Sequence, residues 1–486
     1  MGIIIKNSIK TTLVNYVGVL IGLISVLFIQ TKVLSDAEIG AIRLVFDKAI
    51  LVMPFFIISL DAIVPMFYFH FEKEKQHYGS FISLLLIIPL ITVLIGYLLL
   101  YKFWDLPNFN LIVIVLISNI YISIFESYLY TKSIILFSSI ARNIVQKLLF
   151  VVFLFLYYFN IIDFTGVLYG FVLSQVVHFL LLFYNFKTNL SYPIKANLSI
   201  TKLPIFKEIL TYGGFLLVGA GSGILVSKLD TVMIEGITKS DALVGIYTIA
   251  LAIATVIEIP KRPIIALVVP VIAKKLSENQ IEEVDDLYKK SAINLLIIGS
   301  ILFSLLWLNI DFIFSLIPNG DVFAQGKNIV LFLSLAKLID LALGINSEII
   351  QNSKYYRWNI FLMPFLAIVA IASNYYFISH YGYIGAAFAT FLSIFLYNIL
   401  RTIVVYFTLK LNPFNINYFK VLPFLLIPFI LNYFIKTDSL FINAFINTFY
   451  VAVFFVFPVY KFRFSEEFTG LVDSSLKYAL KFISRN

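Results

Sequence analysis

Several ionisable and oxygen-bearing side chains stand in stretches of sequence that are otherwise apolar. The cations are Lys48, Lys228, Lys261 and Arg262; the oxygen donors are Asp230, Asn374 and Thr390. A charge in hydrocarbon costs at least about 2.5–3.5 kcal/mol on insertion scales, so such residues face a water-filled cavity or a partner. Fixed cations in a cavity offset the charge of an anion, whereas carboxylate, amide and hydroxyl oxygens are the ligands of hard cations. Each group also has a structural alternative. Glu258 and Arg262 are four residues apart on one helical face and can neutralise each other. Lys337 and Asp340, three apart, read as a second local pair. Asp230 can pair with Lys228 or carry a proton, and its group is then a polar clamp between helices. His178, with Ser174 and Gln175 beside it, reads as an interhelical contact rather than a proton relay. Asp61 and Glu126 have no partner that spacing assigns.

Other chemistries are excluded. The chain has no cysteine, which removes disulfides and thiolate metal sites, and its four histidines show no zinc-ligand spacing. No G-x-x-x-x-G-K-[ST] phosphate loop occurs, so any work the protein does draws on an ion gradient or the membrane potential, about 2.3 kcal/mol per charge per 100 mV.

The elements that must position these residues are membrane helices. The chain of 486 residues is 61% hydrophobic and 13% charged, with mean hydropathy +0.97; soluble domains are roughly 45–50% apolar and about 25% charged. Fourteen stretches reach the roughly 20 apolar residues a spanning helix needs. They lie near 11–29, 44–68, 80–101, 110–130, 144–161, 164–186, 209–235, 243–272, 291–316, 328–350, 358–379, 383–403, 418–435 and 441–460. Lys6 and Lys10 precede the first, but it lacks an A-x-A cleavage pattern and reads as a retained helix. With the N-terminus inside, most of the 36 lysines and arginines flank the inner ends, among them Lys132, Lys187, Lys274, Lys289, Lys354 and Arg357. Lys32, Arg43, Lys102, Lys239, Lys327 and Lys436 flank the outer ends. This bias places both termini in the cytoplasm. The net charge of +9 needs no nucleic acid, since positive loops against anionic lipid account for it. By depth counting at about 1.5 Å per residue, Asp230, Asn374 and Thr390 fall near one level.

The chain resembles itself at one place. Asn15-Tyr16-Val17-Gly18 and Ser35-Asp36-Ala37-Glu38-Ile39-Gly40 flank the first span; Thr211-Tyr212-Gly213-Gly214 and Ser240-Asp241-Ala242-Leu243-Val244-Gly245 flank the seventh. Six helices separate the copies, an even number that preserves direction, so the halves read as parallel repeats. The expected organisation is a six-helix lobe over 1–208, a second over 209–410, two further helices over 411–460, and an amphipathic tail over 461–486. The tail, with Phe464, Phe468, Leu471, Leu476 and Leu480 among charges, is expected on the inner membrane surface.

Three passages carry a family resemblance. Asp230-Thr-Val-Met-Ile-Glu-Gly236, followed by Val244-Gly245-Ile-Tyr247 and Pro270, resembles the seventh and eighth helices of bacterial polysaccharide and oligosaccharide-lipid flippases. Leu34-Ser-Asp-Ala-Glu38 resembles their first outer turn. Asn374 and Tyr381-Gly382-Tyr-Ile-Gly385 through Thr390 resemble their eleventh and twelfth helices. The resemblance, to the Wzx-type branch of the multidrug, oligosaccharidyl-lipid and polysaccharide exporter superfamily, implies an all-α membrane protein of two six-helix lobes around a cavity. It further implies that Lys48, Lys228, Lys261 and Arg262 lie on cavity-lining helices, where they would receive the diphosphate of a lipid-linked sugar. Asp230, Asn374 and Thr390 match positions that resemble a sodium site in the lipid II branch, although Ile378 stands where a second acid is expected. The first span, Thr11 to Ile29, also lacks the arginines of that branch.

The expected function is therefore translocation of undecaprenyl-diphosphate-linked oligosaccharide units across the bacterial inner membrane, with Na+ or H+ as coupling ion, no catalytic residues and no cofactor. Expected partners are the lipid-linked substrate, the phospholipid bilayer and other polysaccharide assembly proteins. The alternatives are a lipid II flippase, a multidrug exporter, which would want acidic cavity residues, and a membrane polymerase or glycosyltransferase, which would need a large outer loop.

Overall fold

A computed structural model of the chain describes residues 2–100, 107–192, 199–435 and 437–483; Lys102 and Lys436 lie outside the described residues, as do the side chains of Lys6, Leu476 and Leu480. Among the described residues every regular element is helical. Twelve helices among the described residues are long and apolar enough to cross a membrane, or thirteen with one bent pair counted as a span. One of the twelve, Trp358–Leu409, is 52 residues long and holds two spans joined at Gly382. Counting its arms separately gives the fourteen expected from hydropathy.

The spans are one, Lys10–Val33; two, the bent pair Asp36–Ile57 and Leu60–Lys73; three, His77–Leu99; four, Phe109–Thr131; five, Ile135–Tyr158; six, Phe164–Thr188; and seven, Ile205–Thr238. Span eight comprises Asp241–Glu258 and Lys261–Ser277; nine is Ile281–Leu308; ten is Gly320–Ala342; eleven and twelve are the arms of Trp358–Leu409; thirteen is Ile416–Phe434; and fourteen is Leu440–Lys461. The chain divides into two compact units, residues 1–248 and 249–486.

Local chemistry explains where these helices start and break. Ser35 and Glu38 form a reciprocal capping box at the head of span two, each side chain accepting from the other's backbone N–H. Asp163, Asn415 and Ser439 cap spans six, thirteen and fourteen. Span two bends by 42° where Ile58 and Ser59 both take left-handed backbone angles, four residues after Pro54. Span eight, expected as one helix, is broken: a tight turn over Thr255–Glu258 precedes Pro260, and a new helix begins at Lys261. Proline has no N–H to give and its ring clashes with the preceding turn, so the helix is interrupted at Pro260, while Pro263 falls in the first turn of the new helix, where a missing N–H costs little.

The two copies of the repeat meet. A Cβ on Gly40 would overlap the carbonyl of Asp241, and a Cβ on Gly245 would overlap the carbonyl of Asp36. This reciprocity, position for position, is that of a contact about a twofold axis. Both copies belong to the first compact unit.

The start of the tail packs into the bundle. Phe464 and Phe468 join a core cluster with Ile297 of span nine, Tyr418 and Val421 of span thirteen, and Phe455 and Val459 of span fourteen. Ser465 donates to Asn294 at 2.6 Å, anchoring the start of the tail helix Glu466–Ile483. Leu471, further along, is exposed.

Candidate functional site

In the first unit the charged residues of spans two and seven interlock. Asp47 is fully buried and receives three groups: Arg43 Nε at 2.5 Å, Lys228 Nζ at 3.0 Å and the Thr231 hydroxyl at 2.8 Å. Lys228 also lies 5.1 Å from the ring centroid of Phe46. One residue further, Lys48 Nζ meets Glu235 Oε2 at 3.0 Å. Lys228 therefore pairs with Asp47 rather than with its near neighbour Asp230. Asp230 instead accepts a 2.5 Å hydrogen bond from the Tyr247 hydroxyl. Sequence reasoning missed Asp47, although a carboxylate four residues after Arg43 in an apolar run was a legible signal.

In the second unit the pairing is again between helices. Lys261 Nζ reaches Asp340 Oδ2 at 2.5 Å, and Lys337 Nζ reaches Glu258 Oε2 at 2.5 Å. The local pairs expected from spacing, Glu258 with Arg262 and Lys337 with Asp340, do not form. Partners three residues apart on span eight match partners three apart on span ten in the same order, so the two helices run parallel and each long side chain finds a better-placed opposite charge across the interface. Asn398 Nδ2 donates to the other oxygen of Asp340 at 3.3 Å. Nearby on span twelve, the buried Arg401 donates to the Tyr397 hydroxyl at 2.6 Å, its guanidinium 3.9 Å from the Tyr397 ring centroid. Arg401 too was missed, although it interrupts a long apolar run.

Arg262 stands apart. It is exposed at the second position of the helix Lys261–Ser277, makes no hydrogen bond or ion pair among the described residues, and sits where no side chain caps the helix start. A helix N-terminus presents unpaired N–H groups and a partial positive charge, so this corner is suited to an anion.

The oxygen-bearing group is divided between the units: Asp230 belongs to the first, and Asn374 and Thr390 belong to the two arms that meet at Gly382 in the second. Asn374 is fully buried, and beside it Ser373 and Ser393 hydroxyls lie 3.1 Å apart across the arms. Among the described residues no three or more of His, Cys, Asp and Glu gather as a metal site.

Two further membrane carboxylates, Glu126 and Asp61, find partners. Glu126 pairs with Arg142, and His178 Nε2 lies 4.0 Å from the second Glu126 oxygen. Asp61 accepts from Ser123 at 2.7 Å.

Comparison with known proteins gives three results. A family model described as "Polysaccharide biosynthesis protein" matches residues 4–276. No curated protein matches the chain significantly. Among solved structures, the lipid II flippase MurJ in an inward closed conformation is similar with TM-score 0.66 at 15% identity, over 94% of this chain and 99% of that one. A multidrug resistance MATE family transporter of the MOP superfamily, inward-facing, is similar with TM-score 0.60 at 13% identity, over 83% and 98%. At these identities the likeness is one of fold.

Proposed function

The chain belongs to the polysaccharide biosynthesis protein family, and on that premise we propose that it flips undecaprenyl-diphosphate-linked oligosaccharide units, of O-antigen, capsule or exopolysaccharide, across the bacterial cytoplasmic membrane by alternating access. The observation that carries this reading is Arg262. A bare cation in a membrane protein is costly unless it serves a ligand, and a diphosphate offers it two oxygens at once. Lys261, Lys48 and Lys228 are each held by a carboxylate. In this reading each of them gives up its carboxylate only as the head group passes. The exposed cation also speaks against export of cationic drugs.

We further propose that Na+ or H+ coupling acts through Asp230, whose hydrogen bond from Tyr247 is the contact that an arriving ion or proton displaces. Asp230→Asn is expected to leave the protein inserted and abundant while removing the ion dependence of transport. Loss of the protein from the membrane instead assigns Asp230 to a structural clamp.

The deciding experiment is flipping of a defined lipid-linked oligosaccharide in proteoliposomes. Arg262→Ala is expected to lower the rate roughly tenfold or more, the worth of a lost charged hydrogen bond, and Arg262→Lys to lower it partially. Wild-type rates in Arg262→Ala at equal reconstitution overturn the phosphate assignment.

A further inference from the structure

The first unit contains a partly open cavity of about 320 Å³ between spans two, three, four and seven. Its walls are apolar: Leu51, Val52 and Phe56 from span two, Val93 from span three, Ile112 and Leu116 from span four. Val93, Ile112 and Leu116 are themselves 6%, 7% and 4% exposed, so they face inward and not the lipid. One end is polar. The Lys48–Glu235 pair is self-neutral, and beyond it lies Lys239, exposed, its ammonium making no hydrogen bond or ion pair among the described residues.

We propose that this cavity holds one acyl chain of an anionic membrane phospholipid, with the headgroup phosphate at Lys239. The cavity is near the lower end of the roughly 300–1,000 Å³ of small-ligand sites, and away from its polar end and Tyr97 the lining has little to hydrogen-bond water, so a hydrocarbon chain fits that part better than solvent does. Of the charged lining residues Lys48, Glu235 and Lys239, the one left without a charge partner among the described residues is positive, which selects an anionic headgroup over a zwitterionic one. The occupant is also at hand: Leu94 and Leu98, on the same span as Val93, are 59% and 66% exposed and stand against the bilayer. The competing account is that Lys239 merely completes a helix C-terminus, where a cation is favourable, beside a void that stays empty. This inference does not depend on which molecule the protein transports.

The test uses the full chain in nanodiscs of phosphatidylglycerol and phosphatidylethanolamine. A trace of phosphatidylglycerol carries a diazirine midway along one acyl chain. After irradiation, adducts are mapped by mass spectrometry. Leu94 and Leu98 should label in any case; the site is supported by adducts on the inward-facing Val93, Ile112 or Leu116. Leu116→Trp should remove the inward adducts and keep the outward ones. Lys239→Ala should reduce inward labelling about fivefold, the equivalent of one lysine near anionic lipid, and a phosphatidylethanolamine probe should label the interior correspondingly less. Wild-type adducts confined to Leu94 and Leu98 overturn the site, whatever the variants do. Equal interior labelling by the two headgroups overturns the role of Lys239.

Discussion

At the scale of single residues, the polar groups of this membrane protein are organised by burial. Asp47 is the centre of the first cluster, since it alone stands between Arg43 and Lys228. Asp47→Ala is expected to destabilise by about 3–5 kcal/mol, because it strands two cations rather than removing a neutral pair. Thermal unfolding in detergent should show it, and the added Lys228→Met should recover part of the loss. The same logic applies to the ladder between spans eight and ten. Lys261→Asp alone opposes Asp340 with a like charge and should lower the melting temperature, and the swap Lys261→Asp with Asp340→Lys should restore much of it. No recovery in the swap would mean that Asn398 and Arg401 fix the sign of position 340. The sequence marked Lys228, Lys261, Glu258, Lys337 and Asp340 but missed Asp47 and Arg401, and spacing alone chose wrong partners, since i,i+3 and i,i+4 neighbours are visible in a string and neighbours across a helix interface are not.

At the scale of elements, glycine and proline decide where helices end and touch. Gly382 takes φ 59° and ψ −146° at the joint between spans eleven and twelve, a conformation that any side chain strains by roughly 1–3 kcal/mol. Gly382→Ala should lower stability by that order in a melt, with nothing in the surrounding space to blame, because no atom lies within 4 Å of the missing Cβ. Gly40 and Gly245 present the opposite case: their backbone angles are ordinary and the constraint is contact with a carbonyl. Gly40→Ala and Gly245→Ala should each force spans two and eight apart, and because they break one shared contact their combined effect on melting should be less than additive. Full additivity would show that the contacts are independent. The Ser-Asp-Ala turns were legible as a repeat, and the break of span eight was foreshadowed by Pro260 and Pro263. That the repeats touch was not, because the distance between residues 40 and 245 is not a property of either segment.

At the scale of the whole molecule, the expected topology places both termini inside. Reporter fusions at Lys289 should read cytoplasmic and one at Lys239 external; the reverse at both would invert the orientation and, with it, the direction of proposed transport. What the sequence by itself determined was the set of spanning helices, their number and the family, because the spans follow from sums over about twenty residues and the family from motifs in order along the chain, and neither needs knowledge of packing. Tertiary structure alone decided which charges neutralise each other, that Arg262 is left bare while Lys48, Lys228 and Lys261 are held, that Phe464 and Phe468 pack inside rather than on lipid, and that an apolar cavity remains beside Lys239. Those outcomes depend on which helix faces meet, and in a bundle whose surfaces are nearly all apolar, hydropathy carries almost no information about that choice.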